Sequence, residues 1–164
     1  MKRIKSFRLF ESVNPDIVEK VCALYEDVKS ISYILEDEEI VPVYRLSVIG
    51  NKSMTYQNIQ KVAGEEFSLN VNISSCNKIR MILSPEQSIK LDLKSFIIRI
   101  ENVNEDGFKS MDDTEFSSEV ESYFNFLKDH LDYVPDEYIK IEEMTFREYG
   151  EKYYNIIISS DFFK

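Results

Sequence analysis

The sequence predicts an α+β fold in which two or three helices pack on one face of a mostly antiparallel sheet. Three observations support this prediction. Two segments carry apolar residues at helical spacing, the stretch 66–103 carries them at alternate positions, and only four glycines and four prolines interrupt the 164 residues. Apolar residues make up 43% of the chain, which suffices for one core, so we expect a single domain over residues 1–164.

The first part of the chain is predicted to form a strand and then a helix. Residues 2–13 alternate loosely between apolar and polar and are predicted as a strand. Asn14, Pro15 and Asp16 predict the start of a helix, because Asn is a favoured N-cap and Pro is favoured at the first helical position. An apolar line runs along this helix, which we expect to end near Lys29. The line consists of Ile17, Val21, Leu24 and Val28.

The next segment is predicted to be mostly β. Residues 30–35 are rich in strand-forming side chains, and residues 36–39 are four successive acids that predict a solvated turn, with a cation site as the alternative. Residues 40–49 predict a long strand, and Pro42 near its start indicates either an edge position or a strand that begins just after it. Residues 53–63 fit either a short helix or a returning strand, and the lack of alternation favours the helix.

From residue 66 onward the pattern predicts an antiparallel meander that ends in a central strand over residues 96–100. An amphipathic helix is predicted from Ser118 to about Tyr133, with Glu121 placed to complete a capping box with Ser118. Pro135 should stop this helix. Residues 138–146 and 153–158 then predict a final hairpin around Gly150.

The acidic charge is concentrated late in the chain. The formal net charge is −10, and residues 101–151 hold 16 Asp and Glu against four Lys and Arg. This balance disfavours direct binding to nucleic acid and to anionic membranes, because both affinities come from basic side chains. The first residues lack the continuous apolar run of a signal peptide, so we expect a cytoplasmic protein.

These charges favour a non-catalytic interaction protein that binds a basic protein partner. An inhibitor, an immunity-type protein or an accessory protein of a phage or mobile element would have this character. One alternative is a small enzyme with a pocket between sheet and helices, using His130 or acids near Asp112. A second is a structural subunit that forms homodimers through an edge strand or through Phe162 and Phe163. The predicted partner-binding residues are Glu115, Glu119, Glu121, Asp129, Asp132, Asp136 and Glu137.

One loop resembles the twelve-residue calcium loop of EF-hand proteins. Oxygen-bearing side chains recur at alternate positions, Gly107 stands at the sixth place and an acid stands at the twelfth. The loop departs from the EF-hand pattern in its first residue, in Lys109 and in its shorter final acid, so a polar turn is the favoured interpretation and calcium the alternative. The calcium candidates are Asn102, Asn104, Asp106 and Asp113. The sequence otherwise predicts no metal site and no cofactor.

Overall fold

The structure is a computed structural model that describes residues 15–50, 71–72, 91–146, 148 and 150–164. Within these residues, two long helices and one short helix accompany five strands. The helices are α1 (Pro15–Ile31), α2 (Tyr33–Asp37) and α3 (Asp113–His130), and the strands are β1 (Val43–Gly50), β2 (Val71–Asn72), β3 (Leu91–Glu101), β4 (Ile139–Thr145) and β5 (Lys152–Ser159). Two 3-10 turns, Asp136–Tyr138 and Ser160–Phe163, flank the last hairpin.

The sheet has the strand order β2-β1-β3-β5-β4, and every neighbouring pair is antiparallel. Four strands have seven residues or more, and β2 has two. Strand β5 follows β4 in sequence but lies between β3 and β4 in the sheet. Among the described strands β4 is therefore an outer strand, and α3 connects the centre of the sheet to it.

The core lies between one face of the sheet and the helices. Ile98 of β3 faces Tyr44 of β1 on one side and Ile156 of β5 on the other, so one face presents a continuous apolar layer. Helix α1 adds Val21, Leu24 and Val28 to this core, and α3 adds Phe116, Val120, Tyr123 and Leu127. The predicted fold class, with helices on one face of a mostly antiparallel sheet, is confirmed.

The strand predicted over residues 30–35 is wrong. Ser30 and Ile31 end α1, and the chain then forms the short helix α2. Ile31 and Leu35 are both buried and continue the helical apolar stripe, because they are four positions apart. The Ser32 hydroxyl donates to the Lys29 carbonyl at 2.8 Å, which satisfies one of the carbonyls left open at the end of α1.

The beginning of α3 also differs from the prediction. The helix begins at Asp113 rather than Ser118, and the N-cap is Asp112, whose carboxylate accepts from the Glu115 amide at 2.8 Å. Phe116 is buried, so the apolar stripe starts one turn earlier than the capping-box pattern indicates. The helix ends at His130, three residues before the predicted end at Tyr133.

Other predicted elements are confirmed. Helix α1 includes Pro15 as its first residue, β1 begins after Pro42, and β3 is the central strand. The final hairpin turns at Gly150, which has φ +68° and donates its amide to the Phe146 carbonyl. The predictions over 2–13 and 53–63, and those over 66–103 apart from the segments 71–72 and 91–103, lie outside the described residues.

Candidate functional site

The predicted partner-binding acids of α3 lie on different sides of the helix. Glu115 and Glu119 are one turn apart and share a flank. Glu121 lies on the other flank, about 160° around the helix axis from Glu119 at 100° per residue. Glu119 is half-buried, whereas Glu115 and Glu121 are exposed. The structure thus separates these three carboxylates into two groups.

The remaining four predicted acids surround the end of α3. Asp129 lies in its last turn, Asp132 follows it, and Asp136 and Glu137 begin the 3-10 turn. All four are exposed. Asp136 Oδ1 lies 3.5 Å from Lys128 Nζ, whereas the other six predicted acids have no Lys or Arg of the described chain within ion-pair distance.

We name the seven residues Glu115, Glu119, Glu121, Asp129, Asp132, Asp136 and Glu137 the α3 acidic surface. It is a band along and beyond the helix, because the core-facing stripe occupies one side and the acids occupy the remaining circumference. Tyr133, within this band, donates its hydroxyl to Asp27 of α1. Partial burial of the hydroxyl, and then this hydrogen bond, raises the pKa of Tyr133.

A groove of about 430 Å³ separates α3 from the outer strand β4. Val120 and Phe124 of α3, Ile141 of β4 and Tyr154 of β5 give it an apolar floor, and two carboxylates, Glu121 and Glu143, lie at its rim. We call this concavity the α3–β4 groove. Its lining also includes Ser117 and Asn125.

Glu143 is tied to its neighbours in the groove. Its carboxylate lies 3.0 Å from Lys152 Nζ and accepts from the Tyr154 hydroxyl at 3.4 Å. The Tyr154 hydroxyl also lies 3.2 Å from Ser117 Oγ. The hydrogen bond to Glu143 raises the pKa of the Lys152 ammonium. Glu121 on the opposite rim has no comparable cation among the described residues.

A second concavity, of about 240 Å³, lies beside the end of α2, and five of the six described residues that line it are polar. We call it the acidic depression. Glu39 adopts φ +61°, and its carbonyl accepts from the Ser110 hydroxyl at 2.7 Å. This bond joins the loop after α2 to the loop before α3. The depression is lined by Glu36, Glu39, Val41, Asn104, Glu105 and Asp106.

The loop with the EF-hand-like pattern is held by its own hydrogen bonds. The Asn102 side chain donates to the Met111 carbonyl at 2.6 Å and accepts from the Met111 amide at 3.1 Å. Asn104 Oδ1 accepts from the amides of Asp106 and Phe108 at 2.9 and 3.0 Å. Within the described part of the chain, no three His, Cys, Asp or Glu side chains are grouped as metal ligands.

Of the calcium candidates, Asp113 is the first residue of α3, and its Oδ1 lies 3.2 Å from Lys109 Nζ. Asp106 is exposed at the rim of the acidic depression. The four candidate side chains therefore make separate contacts: two close the loop, one pairs with a lysine and one lines the depression. Only the side-chain oxygens of Asn102 and Asn104 accept hydrogen bonds within the loop.

The residues of the enzyme hypothesis have positions that the fold explains. Asp112 caps α3, and His130 is exposed at the end of the same helix, where a basic side chain suits the negative end of the helix dipole. Phe163, named for self-association, is buried and its carbonyl accepts from Lys20 Nζ at 3.3 Å, while Phe162 packs partly against the core.

Sequence reasoning missed three residues of the α3–β4 groove: Ile141, Glu143 and Tyr154. They alternate along β4 and β5, so their common face is readable from the period of two, but the outer position of β4 is not.

No described helix has the length and apolar character needed to cross a membrane. No family model, curated protein or solved structure matches this chain.

Proposed function

We propose that this protein is a non-catalytic binding protein whose α3 acidic surface contacts a basic protein partner. The observation that carries the proposal is a group of unbalanced carboxylates. Six of the seven acids are exposed, and only Asp136 has a described lysine or arginine within ion-pair distance. Carboxylates left without local cations produce a negative field that steers and orients a positively charged partner.

The position of the acids supports a protein partner rather than a small cation. They are distributed along α3, which has 18 residues, and along the turn that follows, so they span a length on the order of 30 Å at 1.5 Å per residue. A surface of this extent matches one side of a protein interface of ordinary size. Each carboxylate is also exposed enough to accept charge-assisted hydrogen bonds from Lys or Arg.

Apolar and aromatic groups accompany the acids. Phe126 on α3 is 44% exposed and Tyr133 is 48% exposed, so large rings stand among the carboxylates. Protein interfaces are enriched in aromatic residues surrounded by a polar rim. An inhibitor or immunity-type protein that covers a cationic surface, or a phage or mobile-element accessory protein with the same task, would use such a surface.

The test compares two variants that remove the same charge. The first neutralises four unpaired acids of the α3 acidic surface: Glu115→Gln, Glu121→Gln, Asp129→Asn and Asp132→Asn. The matched control neutralises four exposed acids elsewhere: Glu38→Gln, Glu105→Gln, Glu148→Gln and Glu151→Gln. Proteins captured from the native host on the wild-type chain would be purified, and their Kd values measured at several salt concentrations.

We expect the captured partner to be basic and its Kd to rise steeply with salt. The first variant should weaken binding at least about tenfold, and the control by less than about threefold. Equal losses in the two variants, or a Kd indifferent to salt, would show that the α3 acidic surface is not the binding site.

A further inference from the structure

Within the described part of the chain, the outer strand β4 has a strand partner on one side of its backbone and none on the other. Of the described strands, β5 alone pairs with it. Phe146 donates its amide to the Glu151 carbonyl, and this sets the alternation of the β4–β5 ladder. Glu142 and Met144 therefore bond to β5, whereas Ile141 and Glu143 direct their amides and carbonyls to the open side. Such an edge is a ready template for another strand.

The α3–β4 groove adjoins this open edge. A strand laid beside β4 would point alternate side chains into the groove, about 7 Å apart, and the others to the opposite face of the sheet. The floor of Val120, Phe124, Ile141 and Tyr154 suits apolar side chains. Binding by strand addition combines these features, because the backbone supplies affinity and the pockets beside it supply specificity.

Charge identifies the occupant. Glu143 already contacts Lys152 at 3.0 Å, and Asp113 acts on the same ammonium, whereas Glu121 has no cation near it among the residues described. The groove thus retains net negative charge next to an apolar floor. A segment with an apolar residue and, two positions along on the same face, a Lys or Arg would place its cation near the rim of the groove.

We propose that β4 and the α3–β4 groove bind an extended segment of a basic protein, which adds to the sheet beside β4. Apolar side chains of the segment occupy the groove, and a Lys or Arg meets Glu121. This inference rests on the proposed function for the basic character of the partner, and it adds the mode of binding and the residues of contact.

The probe for this site is the synthetic peptide acetyl-Ser-Val-Ser-Leu-Thr-Lys-Thr-Arg-Ser-amide, whose alternate residues put two apolar and two basic side chains on one face. Its binding would be measured by titration, and amide hydrogen exchange of Ile141 and Glu143 would be followed by NMR. Two further peptides carry N-methyl groups, one on every Ser and Thr and the other on the remaining residues. Methylation of one set removes the donors that face β4, and methylation of the other set leaves them in place.

Two pairs of protein variants complete the test. Glu143→Pro and Glu143→Ala both remove the carboxylate, but only the proline removes the outward amide, at an edge position where proline is tolerated. Glu121→Lys reverses the charge at the groove, and Glu119→Lys makes the same change on the other flank of α3. Thermal unfolding followed by circular dichroism shows whether each variant is folded; the Glu121→Lys and Glu119→Lys pair serves if the proline variant is not.

Strand addition predicts that the peptide slows exchange of Ile141 and Glu143 and that only one N-methylated peptide still binds. Binding to Glu143→Pro should be at least about tenfold weaker than to Glu143→Ala, and Glu121→Lys should weaken binding about tenfold more than Glu119→Lys. Equal binding of both N-methylated peptides, or unchanged exchange at β4, would overturn the inference. Protection of the same amides in peptide-free protein that rises with concentration would also overturn it, because a second copy would then occupy the edge.

The two proposals fail in different ways. If the full basic partner is sensitive to the four-acid neutralised variant but binds Glu143→Pro and Glu143→Ala equally, the proposed function stands and strand addition is wrong. If the probe peptide adds to β4 while partner binding ignores the neutralised acids, the edge strand is a binding site and the α3 acidic surface is not.

Discussion

The α3–β4 groove and the acidic depression are both concave and both lined by carboxylates, yet they differ in what the carboxylates surround. The groove has an apolar floor from the core and an open strand edge beside it. The depression has four acids and one partly exposed valine, Val41, at the junction of two loops. Carboxylates around an apolar floor can orient a side chain that gains free energy by burial, whereas carboxylates alone mainly attract counterions.

The difference between the groove and the depression shows that the number of acids does not by itself identify a binding site. The sequence is acidic throughout residues 101–151, and both concavities draw on that stretch. Only the fold decides that Glu121 lies next to Phe124 and Ile141, and that Glu105 and Asp106 lie next to Glu36 and Glu39. Substitutions at a valine of each concavity, at a tyrosine of the groove, at tyrosines of the core and in the loop beside the depression test this distinction.

The largest effect should come from the floor of the groove, with a valine of the depression as the comparison. Val120 is 1% exposed under the groove, and Val41 is 38% exposed in the depression. We expect Val120→Ala to lower the free energy of unfolding by about 2 kcal/mol, because two buried methyl groups are lost and a cavity remains. Val41→Ala should change it by less than about 0.5 kcal/mol. Urea unfolding measures both, and similar losses would show that the floors do not differ.

A tyrosine of the groove and a tyrosine of the core should respond with opposite signs. The Tyr154 hydroxyl has polar neighbours in the groove, Ser117 and Glu143, so Tyr154→Phe should cost about 1 kcal/mol of stability. The Tyr123 hydroxyl is buried and meets no hydrogen-bond partner in the described structure, so Tyr123→Phe should stabilise the fold by about 1 kcal/mol. Thermal and urea unfolding would give the signs, and a loss at Tyr123 would indicate an unseen partner for its hydroxyl.

Alkaline pH should lower the free energy of unfolding, because buried tyrosines hold their protons more tightly in the folded chain. Burial raises the pKa of Tyr44 to about 12 and also raises the pKa of Tyr123. In the unfolded chain these phenols lose their protons near pH 10, while the folded chain still holds them, so stability is full below pH 10 and falls between about pH 10 and 12. Urea unfolding at pH 8 and pH 11 tests this, and Tyr44→Phe should reduce the loss.

The smallest effect concerns the loop that borders the acidic depression. Because Asn104 Oδ1 already accepts from two amides, we expect millimolar calcium to leave the Tm unchanged. Asn104→Ala should cost about 1 kcal/mol with or without calcium, since it removes two hydrogen bonds of the turn. A calcium-dependent rise in Tm that disappears in Asn104→Ala would show a cation site instead.

Local signals in the sequence sufficed for much of the fold. Pro15, Pro42 and Gly150 each act on their own backbone, so the elements that they begin or turn were predictable. The strand predicted over 30–35 failed because Ile31 and Leu35 fit either period over so short a stretch, and packing against the core decided for a helix.

The candidate site was less predictable than the fold. The exposed acids of α3 were readable, because the apolar stripe tells which side of a helix is buried. The division of these acids between two flanks, and the groove that Glu121 shares with Glu143, depend on strand order. Nothing in the local pattern states that β4 is an outer strand or that β5 lies between β3 and β4.

The place of β5 has a consequence during synthesis. Because β5 separates two strands that precede it in sequence, β3 and β4 cannot complete this side of the sheet until the ribosome has released β5. Until then the nascent chain exposes unpaired edges and part of the apolar layer of β3, which are hazards for aggregation. Ribosome stalling between β4 and β5 should therefore yield a chain that chaperones bind, and release of the last strand should end that dependence.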